Sequence, residues 1–204
     1  MSPADRSLES TLRNLQAQLH ALAARVDRLE SQRAITALAT HYARTCDEHD
    51  MPGLIGLFTE EASFDSPSKV MIANGRDAIA AMFIGLFKIR GPAFHWTHDV
   101  TVEFDDQNAD RATGRVYSHA ETTPNNIVSL AAMKYDDEYQ RVQGRWYFHK
   151  RTISFLYYVP ATEFSSALNS ALRLTVGGER LPADYPELLS SWQQFIASYG
   201  GPAQ

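Results

Sequence analysis

Four strand-like runs follow one another at residues 94–104, 111–123, 127–142 and 145–158. Turn formers separate them: Asp105-Asp106-Gln107-Asn108, Pro124-Asn125-Asn126 and Gln143-Gly144. Links this short join antiparallel neighbours, so the second half of the chain reads as a meander. The first half reads differently. Ile35, Leu38, Ala39 and Tyr42 have helical spacing, which the stretch from Asp47 to Gly53 interrupts. "LIGLF" (54–58) continues as a short helix, "ASFDS" (62–66) reads as a first strand, and "GRDAIAAMFIGLF" (75–87) is again helical, with Pro92 precluding its continuation. Helices followed by an antiparallel meander make an α+β fold.

Two segments flank this domain. Leu8, Leu12, Leu15, Leu19, Leu22, Val26 and Leu29 recur at alternating steps of four and three, an a/d heptad seam uninterrupted by Gly or Pro. A stripe of two apolar positions per seven is narrower than the face of a core-packed helix, which favours self-association over packing on the chain's own domain. Leucine at both seam positions leaves the strand number open. Beyond Pro160, a plausible amphipathic helix at 161–174 and "YPELLSSWQQFIASYG" form a segment too small for a domain, expected to fold back over the barrel mouth or onto a neighbouring subunit. The expected organisation is therefore a coiled-coil-like helical extension (1–32), an α+β domain (33–158) and a helical tail (159–204).

Composition excludes several function classes. A net charge of −5 without a Lys/Arg cluster argues against a nucleic-acid partner. The single cysteine, Cys46, leaves no internal disulfide and no cysteine-based zinc finger. The first 30 residues are too polar for a signal peptide and no apolar stretch approaches a membrane span, so a cytoplasmic protein with no membrane partner is expected. G-x-S-x-G, G-x-G-x-x-G and H-E-x-x-H are absent, which weakens hydrolase, dinucleotide and zinc-protease readings.

"HYARTCDEHDMPGLIGLFTEEASFDS", "GRDAIAAMF", "FHWTHDVTVEF" and "YDDEYQRVQGRWYFHKR", in this order and spacing, resemble the SnoaL-like branch of the nuclear-transport-factor-2-like superfamily over residues 33–156. The resemblance implies a cone-shaped α+β barrel: a strongly curved antiparallel sheet around a long helix, enclosing an apolar pocket. Members include scytalone dehydratase, bile-acid 7α-dehydratase, hexachlorocyclohexane dehydrochlorinase, ketosteroid isomerase-like and polyketide-cyclase enzymes, and diarylpropane γ-formaldehyde lyases. Others carry no catalysis, so the fold alone does not settle function. The dehydratase and dehydrochlorinase members pair an Asp just after the first helix with a His early in a central strand. Asp47 and His95 stand at those positions, 48 residues apart. Tyr42 matches a dehydratase tyrosine five residues before the Asp. The dehydrochlorinase has a lysine there, which argues against halide elimination. Asp99 replaces the family's usual Asn four residues after the strand histidine.

The chemistry of these residue types agrees with that implication. An imidazole near its working pKa takes a proton from carbon or oxygen and returns it elsewhere. A carboxylate on its other nitrogen fixes the tautomer and stabilises the imidazolium. Tyr42 reads equally as core packing or as a donor to a substrate oxygen. His98 belongs, by strict alternation, to the face opposite His95, with Phe94, Trp96, Val100, Val102 and Phe104, and so reads as packing unless a bulge intervenes. His119 is a secondary candidate for contacting substrate, by resemblance to scytalone dehydratase. Arg151 either reaches the pocket or pairs with acids, and Phe64, Met82, Phe83 and Trp96 either wall the pocket or form ordinary core.

The expected activity is a cofactor-independent, metal-independent lyase acting on a hydrophobic, hydroxylated cyclic or aromatic small molecule. His95, Asp47 and Tyr42 are its catalytic residues, and dehydration or retro-aldol loss of formaldehyde its reaction. Isomerisation or polyketide-type cyclisation by the same residues, and a non-catalytic binding or assembly module, are the alternatives. A homo-oligomer is expected, a trimer ahead of a dimer.

Overall fold

A computed structural model describes residues 3–201, with side chains from Ser7 onward; the outermost positions of both expected terminal segments lie outside the described residues. A single helix, α1, runs from Pro3 to Asp47 without interruption, so the expected boundary at 32/33 falls inside one continuous element. Its two halves live in different surroundings. The seam residues from Leu8 to Leu29 are all exposed, whereas Ile35, Leu38, Ala39, Tyr42 and Cys46 are buried. The change of environment follows the apolar pattern, from two to about three apolar positions per two turns. At the crossover, Asp27 accepts a 2.7 Å bond from Arg141 and Arg28 lies 5.2 Å over the Phe104 ring, tying the helix to the sheet.

After α1 come α2 (Met51–Ile55), β1 (Phe58–Asp65), β2 (Ala73–Asn74) and α3 (Arg76–Ile89), then the meander β3 (Phe94–Phe104), β4 (Arg111–Thr122), β5 (Ser129–Val142) and β6 (Arg145–Pro160). The sheet runs in the order β2-β1-β6-β5-β4-β3. It is curved and does not close. The meander pairs are antiparallel, as the short turns require, but β1 lies parallel to β6. The buried half of α1 and α3 fill the concave side, where Ile35, Tyr42, Phe58, Phe64, Ile79, Phe83, Tyr139 and Phe148 form one buried cluster.

β3 departs from strict alternation. Its pairing with β4 shifts between His98 and Thr101, and Asp99 adopts φ 51°. This is a bulge, which a short polar residue tolerates at positive φ better than a β-branched one does. Its effect is to reverse the parity of the strand. His95 and Thr97 face inward before it, Val100, Val102 and Phe104 after it, and Phe94, Trp96 and His98 are left outside. The packing assigned to His98 is therefore corrected: it is exposed, with Nδ1 3.0 Å from Asp99 and Nε2 3.3 Å from Nδ1 of His119.

The tail is also less helical than its spacing suggested. Only a 3₁₀ turn (Ala161–Glu163) and one turn of helix, α4 (Phe164–Ala167), form within 161–174. A hairpin of β7 (Leu174–Val176) and β8 (Glu179–Leu181) follows, turning through Gly177 and Gly178, both at positive φ, and β7 joins the end of β6 in parallel. The Arg173 guanidinium holds this return in place, donating to the carbonyls of Leu156, Ser170 and Tyr185 and to both carboxylate oxygens of Glu187. Asp184 adds a bond from the Phe155 N–H. The last helix, α5 (Ser190–Tyr199), lies on the surface. No helix among the described residues is long and apolar enough to cross a membrane.

Candidate active site

Asp47 is the last residue of α1 and His95 the second residue of β3. One carboxylate oxygen of Asp47 lies 2.5 Å from Nδ1 of His95, and the other accepts the His95 backbone N–H at 2.9 Å. The carboxylate thus grips both ring and main chain: the backbone bond fixes the carboxylate against β3, and the imidazole cannot rotate without losing its bond to it. A carboxylate can only accept, so Nδ1 is the donor in this contact, and the neutral imidazole then has its free lone pair on Nε2. The ring is nearly buried, with 9% of the His95 side chain exposed against 22% for Asp47.

His95 lies on the wall of a cavity of about 280 Å³ between α1, α3 and the concave face of the sheet. Tyr42 and Cys46 from α1 line it, one turn apart, together with Phe83, Leu86 and Arg90 from the α3 side. β5 contributes Ser129, Ala131, Met133 and Tyr135, every second residue of one strand face. The β7–β8 hairpin covers one side with Leu174, Thr175, Val176 and its two glycines. Burial raises the Tyr42 phenol well above its ordinary pKa, with Cys46 and Tyr135 adding to the effect against the opposing Arg151 and Arg90 cations. Tyr42 therefore stays a neutral O–H at physiological pH. Burial likewise pushes the Cys46 thiol up to about 11, which keeps it from acting as a thiolate.

Of the residues singled out from the sequence, Tyr42, Phe83 and His95 meet at this cavity, with Asp47 directly behind His95. The others do not. Trp96 is 58% exposed on the outer face of β3, where its indole N–H donates to Glu121, because it neighbours the inward His95. His119 pairs with Trp96 across the ladder and shares that outer face. Neither lines the cavity, which corrects both expectations. Phe64 is fully buried one layer back, against Phe58 and Phe83, and Met82 is a half-buried part of the same core.

Arg151 also stays behind the wall. It is fully buried, forked onto Asp137 by two 2.9 Å bonds, and its guanidinium is stacked against Tyr42, Tyr135 and Phe148 at 4.0–4.1 Å. Burial alone would lower its pKa, but the facing Asp137 carboxylate and the neighbouring Tyr42 raise it instead, so the cation persists beneath the Tyr42 ring. Of the two readings of Arg151, pairing with an acid is the observed one.

Several cavity residues escaped sequence reasoning. Tyr158 and Thr122, joined by a 2.8 Å hydroxyl–hydroxyl bond, come from two strands and carry no local signal. Ser129, Ala131, Met133 and Tyr135 share one parity of β5, but the run Ser-Leu-Ala-Ala-Met-Lys-Tyr has no apolar alternation to reveal it. Arg90 follows the last residue of α3, and Thr175 belongs to a hairpin that helical spacing had concealed.

Comparison with known proteins agrees with this architecture. A hexachlorocyclohexane dehydrochlorinase, LinA-type3 from Novosphingobium barchaimii LL02, superimposes with a TM-score of 0.60 at 22% identity, covering 66% of this chain and 92% of its own. A scytalone dehydratase-like protein from Novosphingobium aromaticivorans DSM 12444 gives 0.60 at 22% identity over 66% and 89%. ActVI-ORFA from Streptomyces coelicolor gives 0.52 at 16% identity over 62% and 96%. At these identities the likeness is one of fold. No curated protein is significantly similar to the chain. Residues 27–152 match the SnoaL-like domain, leaving most of the exposed half of α1 and the C-terminal return outside it. A match over more than half its length, on a curved sheet wrapped around a long helix, makes this chain a member of the SnoaL-like domain family.

Proposed function

We propose that the protein is a lyase whose own residues supply the acid–base chemistry, acting on a compact, hydrophobic, hydroxylated cyclic or aromatic molecule. The observation that carries this reading is the Asp47-gripped His95 on the wall of an apolar cavity that also holds the neutral phenol of Tyr42. In a dehydration, Nε2 of His95 removes a proton from the carbon next to the carbinol. The C–H electrons form the new double bond, the C–O bond breaks, and the Tyr42 O–H protonates the departing hydroxyl to give water. Asp47 stabilises the imidazolium formed in the same step. In a deformylation, His95 instead removes the proton of a hydroxymethyl group. The C–C electrons remain on the substrate, formaldehyde leaves, and the carbanion is protonated from the imidazolium. The names of the dehydrochlorinase and dehydratase-like neighbours support elimination as the reaction class.

His95→Ala is expected to lower turnover by about 10²–10⁴-fold, the usual contribution of a positioned base, while leaving the fold intact. The assay follows mass loss from a panel of hydroxylated aromatic compounds, and near-normal turnover in the variant removes His95 from the mechanism. The same experiment separates the second reading, isomerisation or cyclisation: a lyase product is lighter by water or formaldehyde, an isomer is not. A non-catalytic module has less support, since it requires neither a cavity nor an Asp47–His95 contact. We further propose that the leucine seam joins copies of this chain into a homo-oligomer, the trimer ahead of the dimer.

A further inference from the structure

Arg90 stands in the cavity wall, half-buried, without a carboxylate partner among the described residues. The wall contains no Asp or Glu, and Arg90 is its formal cation. Other covered arginines are satisfied within the fold: Arg151 faces Asp137, Arg141 faces Asp27 and Asp110, Arg173 faces Glu187, and half-buried Arg76 donates twice to the Phe58 carbonyl. The contacts of Arg90 are a 3.4 Å bond from Nη2 to the Cys46 carbonyl and the face of Phe87, 4.9 Å from the guanidinium carbon. Its Nε is buried and has no hydrogen-bond partner. The Thr175 hydroxyl, contributed to the same cavity by β7, is likewise buried and unpartnered.

Arg90 as a whole is half-buried, but each buried polar atom left without a bond is costly. Two such groups on the wall of one cavity are what a site looks like when part of its hydrogen bonding comes from a ligand. Guanidinium presents parallel N–H donors that match a carboxylate. One uncompensated positive charge matches one negative charge, and a volume just under the roughly 300 Å³ at which ligand pockets usually begin suits a small ring system rather than a large one.

We propose that the substrate carries a carboxylate, recognised in the cavity by Arg90 with Thr175 as a second donor: a compact aromatic or cyclic hydroxy acid. This rests on the site assigned above and names the class of molecule it takes. Arg90 fixes the charged end, the apolar wall of Phe83, Met133 and Phe155 covers the ring, and the reacting carbon is thereby presented to His95.

The test is binding of 3-phenylpropanoate and of its neutral isostere 3-phenylpropanamide to the full chain, measured by calorimetry or by ligand-observed NMR. The wild type is expected to bind the acid at least tenfold more tightly than the amide. Arg90→Gln is expected to remove that preference while binding the amide as the wild type does, and Arg90→Lys to keep a preference several-fold smaller. Equal affinities in the wild type, no binding of either compound, or an unchanged ratio in the variants overturns the proposal. If Arg90→Gln does not fold, the wild-type ratio and Arg90→Lys decide. The readout involves no turnover, so it stands or falls separately from the lyase assignment. A wild type without acid preference overturns the carboxylate site but not the His95 assignment, and an inactive protein that still prefers the acid overturns the lyase assignment but not the carboxylate site.

Discussion

Asp47 occupies the last position of α1, where the negative end of the helix dipole disfavours a carboxylate. Two bonds from His95 offset that cost, and the expense makes sense if the pair has work beyond holding the helix to β3. Asp47→Asn keeps the size but can present an N–H where His95 needs an acceptor, which favours the wrong tautomer. Turnover is expected to fall by about 10²–10⁴-fold with little change in a thermal melt, by analogy with the loss of the orienting carboxylate in other histidine-based sites. Asp137 has the opposite character. It is fully buried against Arg151, far from solvent, and supports the ring of Tyr42 from below through that arginine. Asp137→Ala strands a buried cation and is expected to cost about 3–5 kcal/mol in denaturant unfolding. The two aspartates separate cleanly by experiment: one variant loses activity, the other loses the fold.

At the scale of elements, the β3–β4 pair and the C-terminal return shape the cavity. Gly114 on β4 lies across from Val102, and a Cβ there would come within 2.5 Å of the Thr101 carbonyl and 2.9 Å of the Tyr139 ring. Gly114→Ala is expected to destabilise by about 1–3 kcal/mol, as overpacking against backbone does, read as a shift in denaturant midpoint. The β7–β8 hairpin depends on Arg173, whose hydrogen bonds hold the Glu187 carboxyl below its ordinary value of 4.5 despite partial burial. A lowered folded-state pKa means stability present above the unfolded value and lost as pH falls through the folded one. Glu187 is a third exposed, so solvent screening limits the contribution to about 1 kcal/mol or less. The stability gap between wild type and Glu187→Gln is therefore expected near neutral pH and to close below pH 4.5, measured by melts across that range. A gap that persists in acid removes Glu187 from the clamp. This hairpin is also where the sequence was least legible: Leu168, Ala171 and Leu174 suit a helix, but Leu174 is buried because β6 offers it an open edge.

Across the whole molecule, seven apolar seam residues stand exposed along the first half of α1, between 45% and 66% open to solvent. Because Asp27 and Arg28 anchor the helix to the sheet, the cut that tests the seam falls after Arg25. Removing residues 1–25 is expected to leave the SnoaL-like domain folded and to lower its mass in solution by light scattering; an unchanged assembly shows that the seam does not hold it. The sequence by itself determined what depends on neighbours along the chain. The helix at 75–87, the order of the four meander strands, the exposed heptad stripe and the helix end at Asp47 follow from periodicity and turn chemistry, which act over a few residues. The pairing of Asp47 with His95 was legible through family spacing, not through any local rule. Tertiary structure decided the rest. One bulge at Asp99 reverses the parity of β3, leaving Trp96 and His98 outside while Val100 turns within. Only the convergence of α3, β4, β6 and the returning hairpin brings Arg90, Thr122, Tyr158 and Thr175 to one cavity. Alternation reveals two faces of a strand but not which is buried, and a cavity is made by what several distant segments leave unfilled, which no single stretch of sequence encodes.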